Sequence, residues 1–146
     1  MSTVKQCLGQ KSNVIISVEP ADPVVKALEL MRSNRVRSIL VIEADTLKGI
    51  VTQGDCAIKV LLPGQDARAV RVGDIMTKNP ICVRLKDDLD QCMGLMASRN
   101  IRHLPVLEEG KVVGVVSIGD IVKDIIRMQG DHIKQLETYI KGHGVE

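Results

Sequence analysis

The chain has no phenylalanine and no tryptophan, and its single aromatic residue is Tyr139. Its core must therefore be assembled from Val, Ile, Leu, Met and Ala, and a planar ligand would have to lie between aliphatic side chains, since almost no ring is available for stacking. A dominant charge is also lacking: 20 Lys and Arg stand against 18 Asp and Glu, scattered along the whole length, for a net charge of +2. Without a basic run there is little electrostatic reason to expect a nucleic-acid or membrane partner. No apolar stretch approaches the roughly 18 residues of a membrane span, and Met1 to Gln10 has no apolar segment of the signal-peptide kind. A cytoplasmic location is the simplest expectation.

Other absences narrow the chemistry. Cys7, Cys56, Cys82 and Cys92 form no C-x-x-C pair, and His103, His132 and His143 are not spaced with them as zinc ligands would be. Thiols in a reducing compartment, mostly buried, with no metal site, are expected. There is no G-x-x-x-x-G-K-[ST] loop and no Ser/His/Asp or Cys/His arrangement at matched places, so catalysis is not expected.

What the sequence does contain is a repeat. At a shift of 65 residues without a gap, Lys48-Gly-Ile-Val-Thr-Gln-Gly-Asp55 lies over Val113-Gly-Val-Val-Ser-Ile-Gly-Asp120, and the same shift carries Asp22 onto Asp87, Arg37 onto Arg102 and Val41 onto Val106. A unit of about sixty residues is only marginally stable alone, so two units packed together are expected.

Each unit gives the same reading. A short apolar strand, Val14 to Val18 or Ile81 to Val83, precedes Asp22 or Asp87 as a helix N-cap, with Pro23 at the first helical position of repeat one. Val24, Ala27, Leu28 and Met31, and then Leu89, Cys92, Met93 and Met96, fall at helical spacing and form an apolar stripe. The β-branched runs Arg35 to Ile42 and Asn100 to Leu107 follow. Each leads through a turn, with Gly110 free to take positive φ, into Leu47 to Val51 or Val112 to Val116 as a hairpin. A further helix begins after Thr52 and Ser117, running to about Leu62 in repeat one. The unit is β-α-β-β-α in an α/β fold. Boundaries are expected at 4–62 for repeat one, 63–71 for a linker, 72–127 for repeat two and 128–146 for a C-terminal helical extension, disturbed at Gly130. That helix, with Ile121, Val122, Ile125, Ile126, Met128, Ile133, Leu136 and Ile140 as its apolar positions, either packs on its own chain or offers a dimer surface.

Thr52-Gln-Gly-Asp55 and Ser117-Ile-Gly-Asp120 stand where a strand passes into a helix. A hydroxyl followed three residues later by a carboxylate is the pattern of a capping box. Against that reading alone stand Gly54 and Gly119, in a first helical turn where glycine costs about 0.5 to 1 kcal/mol relative to alanine. Glycine there permits close approach to N–H groups that hold phosphate, the hydroxyl can donate to the same phosphate, and the carboxylate suits the two hydroxyls of a ribose. Phosphate plus ribose means a nucleotide. Arg37 and Arg102 are placed to add charge-assisted contacts to phosphate or to remain solvated. His103, where repeat one has Ser38, bonds phosphate when protonated or serves a structural role.

These residues resemble the tandem cystathionine-β-synthase (CBS) domains. The motifs that carry the likeness are Asp74-Ile-Met-Thr-Lys-Asn-Pro-Ile-Cys-Val83, Asn100-Ile-Arg-His-Leu-Pro-Val106 and Gly114-Val-Val-Ser-Ile-Gly-Asp120, with weaker copies in repeat one, over nearly the whole length from Val4 to Arg127. The resemblance implies a stand-alone regulatory pair that senses energy or redox state through an adenosine nucleotide bound between the repeats. It implies contacts from Thr52, Gly54, Asp55, Ser117, Gly119 and Asp120 to phosphate and ribose, and from Arg37, Arg102 and His103 to phosphates. An adenine slot along Ile16, Ser17, Ile81, Cys82, Val36 and Ile101 is also implied, with Ser12 and Thr77 within reach. AMP is the first expected ligand, with ADP, ATP, NAD(H) or S-adenosylmethionine as alternatives. A homodimer, a regulated protein partner and no obligatory cofactor or metal complete the expectation. The alternative function is a dimeric interaction scaffold whose clefts hold nothing. Repeat one departs from the pattern at Ser12-Asn-Val14 and Ser38-Ile-Leu40, so the Ser117/Asp120 site is the first choice and two equal sites are not expected.

Overall fold

A computed structural model describes residues 2–9 and 14–142, with side chains as far as residue 130. Its elements are α1 (Val4–Leu8), β1 (Ser17–Val18), α2 (Val24–Asn34), β2 (Ser38–Glu43), β3 (Thr46–Thr52), α3 (Gln53–Cys56, continued by a π-helical turn Ala57–Leu61), α4 (Val72–Ile75), β4 (Thr77–Lys78), α5 (Leu89–Arg99), β5 (His103–Glu108), β6 (Lys111–Ser117) and α6 (Ile118–Gly142). The repeat reappears in the geometry at the same shift. Val18 pairs in parallel with Val41, and Val83 with Val106. The β2–β3 and β5–β6 hairpins carry register shifts at Val41/Ile42 and Val106/Leu107. Helices α2 and α5 both end on a left-handed residue, Arg35 (φ 54°) and Asn100 (φ 53°). The turns Ala44-Asp45 and Glu109-Gly110 have positive φ at both positions, as a two-residue hairpin of this twist requires. Gly110 takes that conformation without strain. Ala44, Asp45 and Glu109 are held in it by the strands they join.

Several expected boundaries move. The N-caps of α2 and α5 are Pro23 and Asp88 rather than Asp22 and Asp87. Asp22 and Asp87 instead accept the backbone N–H of Glu19 and of Arg84, each at 2.8 Å, closing the turn that delivers the chain to the helix. The Glu19 N–H, aided by Lys26, holds the Asp22 carboxyl below the usual carboxylate range. The first strands shrink to Ser17–Val18 and a bridge at Val83, because each meets a partner strand on one side over a short length. After Cys56 the expected helix widens: Leu62 N–H donates to the Ala57 carbonyl at 2.8 Å, just before Pro63, which cannot continue a helix. Helix α6 runs through Gly130 undisturbed, while the side chains of Ile133, Leu136 and Ile140 lie outside the described ones.

The two cores exchange their leading helices. Val4, Cys7 and Leu8 of α1 are buried with Leu89, Leu104 and Val116 of repeat two. In turn Val72 and Ile75 of α4 are buried with Val24, Met31 and Val51 of repeat one. Equivalent backbone bonds fasten both, Val4 N–H to the Asp87 carbonyl and Val72 N–H to the Asp22 carbonyl, each at 2.8 Å. Two repeat-related glycines make room for this. A Cβ at Gly49 would lie 2.6 Å from the Thr77 carbonyl oxygen, and one at Gly114 would lie 3.0 Å from the Leu8 side chain. Leu40, Ile50 and Pro105 are buried yet belong to neither core, and β3 touches β6, so the repeats meet along this second face of the two hairpins.

Candidate functional site

Antiparallel pairing sets Ser38 opposite Thr52 and His103 opposite Ser117. Side chains alternate along a strand, so Ser38 and Thr52 share a face with Leu40 and Ile50, and His103 and Ser117 share one with Pro105 and Val115. That is the face each hairpin turns toward the other repeat. Arg37 and Arg102 stand at its margin, exposed, and their carbonyls accept the N–H of Gln53 (3.1 Å) and of Ile118 (2.9 Å). The fold thus brings Arg37, Thr52, Gly54 and Asp55 together in repeat one, and Arg102, His103, Ser117, Gly119 and Asp120 in repeat two.

Both helix starts form full capping boxes. Thr52 N–H donates to Asp55 Oδ2 at 2.9 Å and Asp55 N–H to Thr52 Oγ1 at 3.1 Å. Ser117 N–H donates to Asp120 Oδ2 at 2.9 Å and Asp120 N–H to Ser117 Oγ at 3.1 Å. The cap reading of this motif is therefore realised twice. It also narrows the anion-binding expectation, since the N–H groups of the first and third helical residues are already engaged and Gly54 or Gly119 supplies the one between them. Neither glycine has positive φ, and a Cβ on either would meet only the neighbouring hydroxyl at 3.6 Å. Packing does not require them. Gly119→Ala is accordingly expected to raise stability by about 0.5 to 1 kcal/mol while crowding the Ser117 hydroxyl and weakening any ligand held there. Thermal melting and calorimetric titration of the same variant read the two effects separately.

The remaining candidates lie along the strand starts. Ile16 and Val36 are partly buried against the repeat-one core, and Ile81 and Ile101 against that of repeat two. Ser17 is exposed, as is Thr77, which pairs with Ile50 at the sheet edge. Cys82 is half-buried, its thiol donates to the Pro80 carbonyl at 3.2 Å, and burial raises its pKa. Ser12 lies outside the described residues. All four cysteines are free of disulfide bonds, and Cys92 is fully buried. Burial, then the charges of Asp87 and Cys7, push its thiol up to about 11. Of two open hollows, about 580 Å³ and 680 Å³, the first is lined by repeat one and the second by Lys59, residues 65–70 and the exchanged helix α4, so neither adjoins the Ser117/Asp120 motif. Among the described candidate residues, Ser17 alone stands on their walls. Among the described residues no His, Cys, Asp and Glu cluster suits a metal ion, and no helix is long and apolar enough to cross a membrane.

One ion pair beside the candidate site escaped the sequence reading. Lys59 Nζ lies 3.4 Å from Asp55 Oδ1 and donates to the Ile75 carbonyl at 2.9 Å. The signal was present as an Asp-to-Lys spacing of four on a helix. At the repeat-equivalent position is Asp124, buried, accepting from Ser2 Oγ at 3.0 Å and Arg127 at 2.8 Å.

The CBS domain family model matches residues 11–61 and 72–127, and the chain belongs to that family, with two copies of the domain. A CBS domain-containing protein of Arabidopsis thaliana, CBSX3, described as mitochondrial, is 32% identical over 126 residues. The alignment takes in 83% of this chain, which spans 61% of that relative's length. Among solved structures, a putative signal-transduction protein with CBS domains from Burkholderia ambifaria superposes with a TM-score of 0.84 at 40% identity, covering 86% of this chain and 95% of the other. The CBS domain pair of protein MJ0100 shares the fold, with a TM-score of 0.76 at 24% identity, covering 86% and 96%.

Proposed function

We propose that this chain is a regulatory CBS pair that binds an adenosine nucleotide, AMP first among candidates, in the groove between its repeats. The observation that carries this reading is the doubled arrangement of hydroxyl, glycine and carboxylate beside an arginine, on the face each hairpin turns to the other repeat. Two glycines that packing does not require stand at the same place in both copies. The hydroxyl and the glycine N–H suit phosphate, the carboxylate suits a ribose diol, and the aliphatic walls of Ile81 and Ile101 suit a purine where no aromatic ring is present. The MJ0100 pair, crystallised in complex with 5′-methylthioadenosine and S-adenosylmethionine, supports an adenosine compound as the class of ligand. The Ser117/Asp120 site, with Arg102 and His103, is the principal one. Binding acts as a signal when two states of the protein hold the nucleotide unequally, and a protein partner reads the difference. No catalytic step is assigned to these residues.

A second copy of the chain is the other expected partner. Leu61 (76% exposed) and Ile126 (62% exposed) occupy equivalent positions in the two repeats, and with Ile58 and Leu62 in repeat one and Val122 in repeat two they give the last helix of each repeat an exposed apolar surface. That surface also favours the alternative reading, a dimeric scaffold without a working nucleotide site.

Thermal melting with and without millimolar AMP separates the two. A ligand at 100 times its dissociation constant adds about 2.7 kcal/mol to the native state, which is a rise of several degrees for a chain of this size. Absence of any shift with AMP, ADP, ATP, NAD(H) or S-adenosylmethionine would leave the scaffold.

A further inference from the structure

Helix α1 packs on both elements that carry the Ser117/Asp120 motif, β6 and α6. Leu8 lies against β6 at Gly114, where an added Cβ would be 3.0 Å from it. The Cys7 thiol reaches the Asp120 carbonyl at 4.0 Å, and Ser2 Oγ donates to Asp124 Oδ1, one turn further along α6, at 3.0 Å. Five residues are too few for a helix to stand alone in water, so α1 is helical only while docked. Its counterpart α4 is fastened at the equivalent place by Lys59, which donates to the Ile75 carbonyl and pairs with Asp55. The hold on α1 is less complete. Asp124 is 4% exposed, its Oδ1 accepts from both Ser2 and Arg127, and Oδ2 is buried with no partner among the described residues. A buried acceptor left unpaired favours a state in which water reaches it, and undocking of Ser2 provides one.

We infer that residues 2–8 form a releasable strap, fastened at Asp124, and that docking of the strap and binding of nucleotide at the Ser117/Asp120 motif favour one another. Release unfolds α1 and uncovers the repeat-two core at Leu89, Leu104 and Val116, an apolar face for a protein partner to read. The docked strap steadies the end of β6 and the first turns of α6, which set Ser117, Gly119 and Asp120 in place. A ligand that needs this arrangement favours the docked strap by the same factor as the strap favours the ligand. These are two states that hold the nucleotide unequally, as a signal requires. The coupling rests on the nucleotide reading of the groove, whereas the release of the strap does not.

The chain carries its own probes for the test. Cys7 and Cys92 belong to the same core, 5% and 0% exposed, but only Cys7 is on the strap. The full native protein is labelled with N-ethylmaleimide, and each cysteine is followed by peptide mass spectrometry. Cys7 is expected to react about tenfold faster than Cys92, because local opening costs less than opening the whole repeat. Saturating AMP should slow Cys7 by about tenfold, within the usual range of coupling between two sites. Ser2→Ala removes the hydroxyl donor to Asp124 and should quicken Cys7 several-fold while leaving Cys92 nearly unchanged. Melting curves establish that the variant is folded. One common rate for Cys7 and Cys92, in the wild type and in Ser2→Ala alike, overturns the strap, and an unchanged Cys7 rate in Ser2→Ala overturns its fastening at Asp124. A Cys7 rate indifferent to AMP, in a protein that calorimetry shows to bind it, overturns the coupling and leaves the nucleotide reading standing. A wild type that binds no adenine compound overturns both of these, and the ratio of Cys7 to Cys92 still decides the strap.

Discussion

Replacing Asp120 with alanine is expected to weaken AMP binding by one to two orders of magnitude. Hydrogen bonds to a charged group contribute about 1.5 to 3 kcal/mol each, and the proposed function gives the ribose this carboxylate as its acceptor. The same substitution removes half of a capping box, since Asp120 Oδ2 accepts the Ser117 N–H at 2.9 Å. Loss of a cap costs about 0.5 to 2 kcal/mol, so the melting temperature should fall modestly with or without ligand. Asp55→Ala supplies the control. It removes the matching cap in repeat one, where Thr52 N–H is held at 2.9 Å, and should cost similar stability with a smaller loss of affinity. Calorimetry beside melting reads both quantities for both variants. Equal losses of stability with no loss of affinity in either would reduce these carboxylates to caps.

Leu8→Ala should destabilise the protein by about 2 to 5 kcal/mol, the range for a buried leucine whose cavity cannot collapse. Leu8 is 3% exposed and belongs to the repeat-two core although it precedes repeat one in sequence. The loss should therefore register far from its position along the chain. Native-state hydrogen exchange is expected to show reduced protection in α5, β5 and β6, with β2 and β3 less affected. A loss centred on β2 and β3 would contradict the exchange of helices described above.

That exchange marks where sequence reasoning ran out. The apolar stripes of α2 and α5, the hairpins and their matched registers were legible because each depends on local periodicity, read twice. Helix α1 was not, because five residues, Val4–Leu8, are too short for a helical period to emerge, and their partners lie more than seventy residues away. Gly49 and Gly114 were visible as a repeated pair, yet their role in admitting Thr77 and Leu8 depends on tertiary contact. The one-residue delay of α2 and α5 has a local cause. Asp22 and Asp87 bond to N–H groups three residues earlier in the chain, so a carboxylate that reads as an N-cap closes a turn instead.

The candidate site was legible to a similar depth. Its hydroxyls, glycines, carboxylates and arginines were named from the repeat, and the fold gathers them at equivalent strand and helix ends. The capping boxes are formed in both repeats, and each engages one oxygen of its carboxylate, which leaves acceptor sites for the contact proposed to a ligand. Lys59 was overlooked because the comparison of copies searched for sameness, and the residue at the equivalent position of repeat two is Asp124.

The position of a bound adenosine nucleotide is the most direct test of the proposed function. A crystal structure of the protein grown with AMP should show the ribose hydroxyls on Asp120 and the phosphate near Ser117, Gly119 and Arg102, with the purine between Ile81 and Ile101. AMP bound elsewhere, or a groove that stays empty at saturating AMP, would contradict it.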